Sequence, residues 1–422
     1  MKARSRSKLS LLPDEVKHHT FAARSIPGAG SAQWRAVSLF CGGGGLDLGF
    51  LEEGIHTVQA LDSSARAVTT YNENFAAVAK VADLSCHVPS ESVDLLLAGA
   101  PCQGFSTAGK RLLKDPRNAL IARIPEAVRR LRPRATIIEN VPAALSGAHG
   151  AHWLQLEATM AALGYNVRRI VLKGEESGVA QRRRRLFLIC WRGSDCIRLD
   201  LAAKAAPTLR EVLSGVELVP DHEPRFPAAG SVDAKVAMHI GTGEKLCNVR
   251  SSPRAVPTWQ IPDVFGETSE QERELLRAVS RLRRRDRRRT FGDGDPVDPA
   301  ALERELGRPA TGELTRLVEA GYLRLVDGFA ELRHTYNGKY RRLDWNDLSP
   351  TVDTHFGRAA LFLHPDEDRG LSWREAARIQ GFPDAYRLTG NRSERFEIVG
   401  NAVPPPMASR VAEFVREAIL KA

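Results

Sequence analysis

The feature that most constrains this chain is a strand–helix alternation that begins near residue 35 and stops near residue 200. "AVSLFCGGGGLDLGFLEEG" reads as strand, glycine turn and helix. "HTVQALD" is the next strand, "SSARAVTTYNENF" a helix and "VAKVADL" a short strand. "SVDLLLAGAP" is a strand, "NALIARIPEAVRRLRP" a helix closed by Pro133, and "RATIIENVP" a strand. "AHWLQLEATMAALGY" is helical with Gly164 as its cap, and "NVRRIVLKG" and "RRLFLICWR" are further strands. Such alternation specifies an α/β fold with a doubly wound, mostly parallel sheet. Open α/β sheets carry their chemistry beyond the carboxyl ends of the strands, so residues there are the candidates.

The rhythm divides the chain. Residues 1–34 form a basic N-terminal arm with no apolar signal core. Residues 35–200 form the first domain, whose strand ends are the candidates for catalysis and cofactor binding, and 201–345 a second, smaller region. Within it, 268–340 reads as three helices and a hairpin around a "DG" turn, a winged-helix-like insertion. Asp298 and Pro299 cap and open its second helix. Residues 346–422 hold "SWREAARIQGF" and a last helix, "PPMASRVAEFVREAILK".

Composition excludes several classes. No apolar run is long enough to span a membrane. None of the six cysteines (41, 86, 102, 190, 196, 247) stand at CxxC spacing, which argues against a zinc ribbon or a redox dithiol and suits a reducing interior. The net charge of +10 favours a polyanion, nucleic acid first. Much of it lies in "RLRRRDRRR", residues 281–289, which reads equally as a solvated helix face or as a DNA contact.

Five strand ends hold chemistry. "LFCGGGG" lets backbone approach a ligand at a helix N-terminus but lacks the GK[ST] of a phosphate-gripping loop. Asp62 ends the second strand about where a carboxylate grips ribose hydroxyls, and Asp83, after the third, suits an adenine amino group. Together they suggest an adenosine-type cofactor; singly they read as capping acids. Cys102 lies in "GAPCQGFS", a stiff polar turn where a core-filling thiol has no reason to be. Glu139, in "IIENV", ends a neighbouring strand and can share its pocket, where desolvation would make the carboxyl a proton donor near neutral pH. "QRRRRLF" opens a strand whose alternation sends Arg183 and Arg185 to one face, ready to hold a phosphate, orient the glutamate and stabilise a thiolate.

In this order, with "LSPTVDT", "RIQGFPDAY" and "GNAVPPPMA" following, these segments resemble the DNA (cytosine-5)-methyltransferase family of bacterial restriction–modification or phage-defence type. The resemblance covers about 35–200 and 340–420, not the arm or the middle. It implies S-adenosyl-L-methionine as methyl donor and S-adenosyl-L-homocysteine as product, on a Rossmann-like methyltransferase fold. Cys102 would attack cytosine C6, Glu139 would bond the base at N3 and its exocyclic amine, and Arg183 and Arg185 would brace base and phosphate. The base must flip out of the duplex, and Gln103, Gly104 and Ser106 lie on the loop that would close over it. Phe40, Cys41, Gly42 and Gly44 carry over to the methionine and turn region, Asp62 with Ser63 to the ribose, and Asp83 with Leu84 to the adenine edge. Pro101 and Leu120 line that pocket, and Asn401, Ala402 and Val403 return to it. Asp62 stands where many relatives have Glu. Cys41 replaces the commoner alanine or serine and is assigned no chemistry. No metal is implied.

The resemblance makes the middle a target-recognition domain. The third helix of its insertion is acidic at Glu313 and Glu319. The better phosphate contacts are therefore Arg283, Arg284, Arg285, Arg287, Arg288 and Arg289, with a protein-docking winged helix left open. Implied partners are double-stranded DNA and proteins of a restriction or defence system, with a monomeric enzyme in the cytoplasm, nucleoid-associated through DNA. Two alternatives stand: a transfer-RNA cytosine-5 methyltransferase, and a non-catalytic DNA-binding relative. The latter would have lost Cys102, Glu139 or the glycines.

Overall fold

The computed structural model describes residues 33–101, 120–147, 150–194, 197, 201–219, 221–290 and 292–421. Cys102, Gln103, Gly104 and Ser106 lie outside them, as do residues 1–32.

Seven strands form the main sheet: β1 Trp34–Leu39, β2 Ile55–Asp62, β3 Ala79–Val81, β4 Leu95–Gly99, β5 Ala135–Asn140, β6 Asn166–Lys173 and β7 Arg184–Trp191. Their order is β3-β2-β1-β4-β5-β7-β6. Strands β1 to β5 pair in parallel; β7 runs antiparallel between β5 and β6. The order reverses between β1 and β4, which makes that gap the switch point where open sheets bind ligands.

Alternation along the central strands feeds two cores. Ala36, Leu95, Leu97, Ala135 and Ile137 face α1 (Gly45–Glu52) and the last helix. Val37, Leu39, Leu96, Ala98 and Ile138 face α3 (Arg123–Leu131) and α4 (Gly150–Ala162). Helix α2 (Ala65–Asn74) starts at Ser64, whose hydroxyl accepts from Ala67 N–H.

The second region is built on smaller cores. Helices α6 (Val232–His239) and α7 (Pro262–Phe265) pack on a three-stranded sheet, order β12-β8-β9, while α5 (Leu209–Leu213) packs against Trp373 and Ala376 of the late segment. The strands of this sheet are β8 Lys245–Cys247, β9 Ala255–Val256 and β12 Asn337–Lys339. Between β9 and β12 come α8 (Glu270–Arg285), α9 (Pro299–Leu306) and α10 (Thr311–Glu319), then the hairpin β10 (Leu323–Val326) and β11 (Phe329–Leu332). These have the expected element order and their own apolar core, including Leu275, Val279, Leu302, Leu317 and Leu332. A capping box of Ser269 and Glu272 starts α8, and Asp327 and Gly328 take positive φ at the hairpin tip.

The late segment adds β13 (Arg341–Arg342), β14 (Phe362–Leu363), α11 (Trp373–Ile379), α12 (Arg392–Asn401) and α13 (Pro405–Val415). Helix α13 returns to the main sheet and lies on α1. A Cβ at Gly49 would strike the backbone of Pro405 and Ser409, so only glycine permits this closeness.

Candidate active site

A cavity of about 700 Å³ opens at the carboxyl ends of β1, β2 and β4. Its wall includes Phe40, Cys41, Gly42, Asp62, Ser63, Asp83, Leu84, Pro101 and Leu120 from the first half of the chain. Asn401, Ala402 and Val403 close it from some 300 residues away in sequence. Of the residues singled out for the cofactor, Gly44 alone is not on the wall; it caps α1 with φ 85° between Gly43 and Gly45, which are.

The turn after β1 is held from within. Gly42 N–H donates to Asp62 Oδ2 at 2.9 Å, and Ser64 N–H to Asp62 Oδ1 at 2.8 Å. The Asp62 carboxylate thus orients the glycine turn. Phe40 takes the left-handed conformation, φ 54°, a strain that concentrates at binding sites. Hydrogen bonds from Ser85, from its side chain first and then from its N–H at 2.8 Å, hold the Asp83 pKa down. Burial, with Asp47 and Asp62 nearby, pushes the Cys41 thiol well up, so it stays protonated and inert.

Glu139 sits on the same wall, opposite Gly99 in the β4–β5 register. Arg185 Nε stands 2.8 Å from Glu139 Oε1, and both side chains are nearly buried. Burial raises the Glu139 pKa; the charges of Arg185 and Arg183 and the bond from Arg185 oppose the rise without cancelling it. Cys102 follows Pro101 in the chain and lies outside the described residues.

Two expectations about arginines need correction. Strand β7 begins at Arg184, so Arg183 stands just before it, and its charge, like that of Arg185, acts on Glu139. Arg183 is buried and donates to the carbonyls of Val352 (2.8 Å), Gly400 (3.1 Å) and Ala402 (2.8 Å). It braces the late segment against the cavity instead of holding a phosphate. In the insertion, Arg283 is buried beside Asp293, 3.4 Å away, and cannot reach DNA. Arg284, Arg285, Arg287, Arg288 and Arg289 are exposed.

Some wall residues escaped the sequence. Asp47 is buried in α1, where its carboxylate accepts from Ser38, Thr57 and Tyr71 hydroxyls at 3.0, 2.8 and 3.0 Å. Burial raises its pKa against those bonds. A lone acid inside "GLDLGF" was the available signal. Arg66 and Glu394 pair at 3.1 Å on the wall, joining α2 to α12, with Glu397 nearby. Gln181 donates to Gln380 Oε1 at 2.6 Å and accepts from Val352 N–H, tying "QRRRR" to "RIQGF". Among the described residues no helix is long and apolar enough to cross a membrane.

The fold and this cavity define an α/β enzyme of the methyltransferase kind. The family model for C-5 cytosine-specific DNA methylase matches residues 34–417, and the chain belongs to that family. It is a DNA (cytosine-5-)-methyltransferase. It is 30% identical to the type II methyltransferase M.AgeI of Thalassovita gelatinovora, over 91% of this chain and 100% of that one. M.XorII of Xanthomonas oryzae pv. oryzae is 28% identical over 91% of this chain and 85% of its own. A crystal structure described as a DNA modification methyltransferase encoded within an E. coli prophage has a TM-score of 0.57. It covers 92% of this chain and 100% of its own at 20% identity, a likeness of fold.

Proposed function

We propose that the chain transfers a methyl group from S-adenosyl-L-methionine to C5 of a cytosine flipped out of a specific duplex DNA sequence, as a restriction–modification methylase. The observation that carries this is that the Glu139–Arg185 pair shares one cavity with the residues suited to the cofactor. The wall fits that ligand: six carboxyl groups (Asp47, Asp62, Asp83, Glu139, Glu394, Glu397) against two guanidiniums (Arg66, Arg185) favour a cation, and Leu84, Pro101, Ile398 and Val403 offer apolar contact to a purine.

When bound, the cofactor supplies an electrophilic methyl group on its sulfonium. The chain must make C5 nucleophilic. The Cys102 thiolate adds to C6, and the electron pair of the C5–C6 double bond moves to C5 and into the ring. Glu139 donates its proton to N3 as charge develops there; its raised pKa keeps a protonated fraction nearer neutral pH than an ordinary glutamate has. Arg185 fixes that carboxyl. After methylation, loss of the C5 proton expels Cys102 and restores the aromatic ring.

A duplex carrying 5-fluorocytosine tests this, because C5 then has no removable proton. With cofactor present, the wild type should form a covalent complex and Cys102→Ser none. Equal trapping by the serine variant would assign the nucleophile elsewhere.

A further inference from the structure

Positive charge is distributed very unevenly in the recognition region. Residues 268–332 hold 13 arginines and no lysine against 13 Asp and Glu, a net charge of zero. Most of those arginines face a carboxylate. Arg281 and Arg285 share Glu305 (3.2 and 3.1 Å), Arg308 takes Glu274 and Glu313, Arg316 takes Glu272 and Arg324 takes Glu331. Arg287 bonds the carbonyls of Arg289 and Gly292, and Asp295 accepts from the backbone of Arg288 and Arg289.

The next ten residues, "RHTYNGKYRR", carry four cations and no acid. One, Arg342, is buried on the carbonyls of Ala237, Ile240 and His364. The others, Arg333, Lys339 and Arg341, have no carboxylate partner among the described residues, and neither does Lys245 on the paired strand β8. The Arg341 guanidinium and Lys245 ammonium converge over Gly338, 3.3 and 3.7 Å from where a Cβ would sit. Like charges brought together without a counter-ion repel and favour an anion between them. Lys339 lies 5.7 Å from the Tyr336 ring centroid, and Tyr336 stacks on exposed His334 at 5.8 Å. The strip connects to the active site. Lys245 N–H donates to Arg254 O at 3.0 Å, Arg254 stands 3.8 Å from Asp347, and Asp347 takes Arg182 at 2.5 Å. Arg182 is three residues from Arg185.

We infer that the phosphate backbone of duplex DNA docks on the strip Lys245, Arg333, His334, Tyr336, Lys339 and Arg341, and that the arginine tract 281–289 is scaffold. This rests on the reading of DNA as substrate. The test is duplex binding by fluorescence anisotropy, on a methylated-site duplex and an unrelated one, at two salt concentrations. Two variants are compared: Lys245→Gln/Lys339→Gln/Arg341→Gln, and Arg284→Gln/Arg287→Gln/Arg288→Gln. Unfolding midpoints and S-adenosyl-L-homocysteine binding report their folding. Each phosphate contact contributes about 0.9 to the salt slope, so between about 50 and about 200 mM salt the wild type should lose about 40-fold more affinity than the strip variant. The tract variant should keep the wild-type slope. A strip variant with wild-type slope, or a tract variant that loses as much, overturns the inference. A wild type that binds folded RNA through the strip but no duplex overturns the DNA reading itself, and with it DNA as the occupant.

Discussion

In the run Arg182–Arg185, neighbouring guanidiniums reach different partners: Asp347, three backbone carbonyls of the late segment, and Glu139. In the run Arg281–Arg289, the partners are Glu305, Asp293 and Asp295, all within the insertion that holds the run. The first run joins segments from 46 to 219 residues apart; the second closes on itself within 24. Identical side chains thus build a cavity wall in one place and neutralise a module in the other. What separates them is where the countercharge lies in the chain.

The sharpest break of this comparison is Arg183→Ala. It leaves three buried carbonyls without their donor, at about 1–3 kcal/mol each, so a loss of about 3 kcal/mol or more is expected in chemical unfolding. An unchanged midpoint would mean that Arg183 is no brace.

Arg185→Gln should act on rate more than on stability. Losing a charge-assisted bond to a buried carboxyl is worth about tenfold to hundredfold in turnover. Arg185 holds the Glu139 pKa down against burial, so its removal raises that pKa further. The protonated acid then persists to higher pH, and the alkaline limb of the pH–rate profile should move up; a downward move would refute the acid role. The sign for stability follows. Folding favours neutral Glu139, so the stability this gives is full below the ordinary carboxylate pKa and is lost as pH rises through the raised one.

The smallest effects belong to the tract. Arg283→Gln removes a buried partner of Asp293 and should lower unfolding stability by about 1–3 kcal/mol. Arg281→Gln with Arg285→Gln should leave the unfolding midpoint unchanged, because exposed pairs contribute little. Equal losses in both variants would erase the distinction between buried and surface members of the run.

Much of the first half was legible because a buried strand writes its apolar run locally. Strand ends then placed Asp62, Asp83 and Glu139 beside a cavity, and the glycine turn between β1 and α1 was plain. Arg183 was misread because its guanidinium is taken up by carbonyls 169 or more residues further along the chain, which no local pattern encodes. Arg283 was misread although it lies four residues after buried Val279, on the inward stripe of α8; its charge hid its phase. Asp47 and the Arg66–Glu394 pair depend on tertiary partners that no local pattern encodes. The strip at 333–341, without a carboxylate partner among the described residues, is visible only once the paired arginines have been subtracted.

The contact of α13 with α1 extends to the amino ends of the central strands. Arg134 lies over the Trp34 ring at 5.2 Å and donates to Ile419 O at 3.1 Å, so one side chain touches both the first strand and the last turn. Segments at opposite ends of the sequence are therefore neighbours in space. A gene rearranged so that the final helix is translated before β1, joined by a short linker, would recreate the same layers and the same cavity wall.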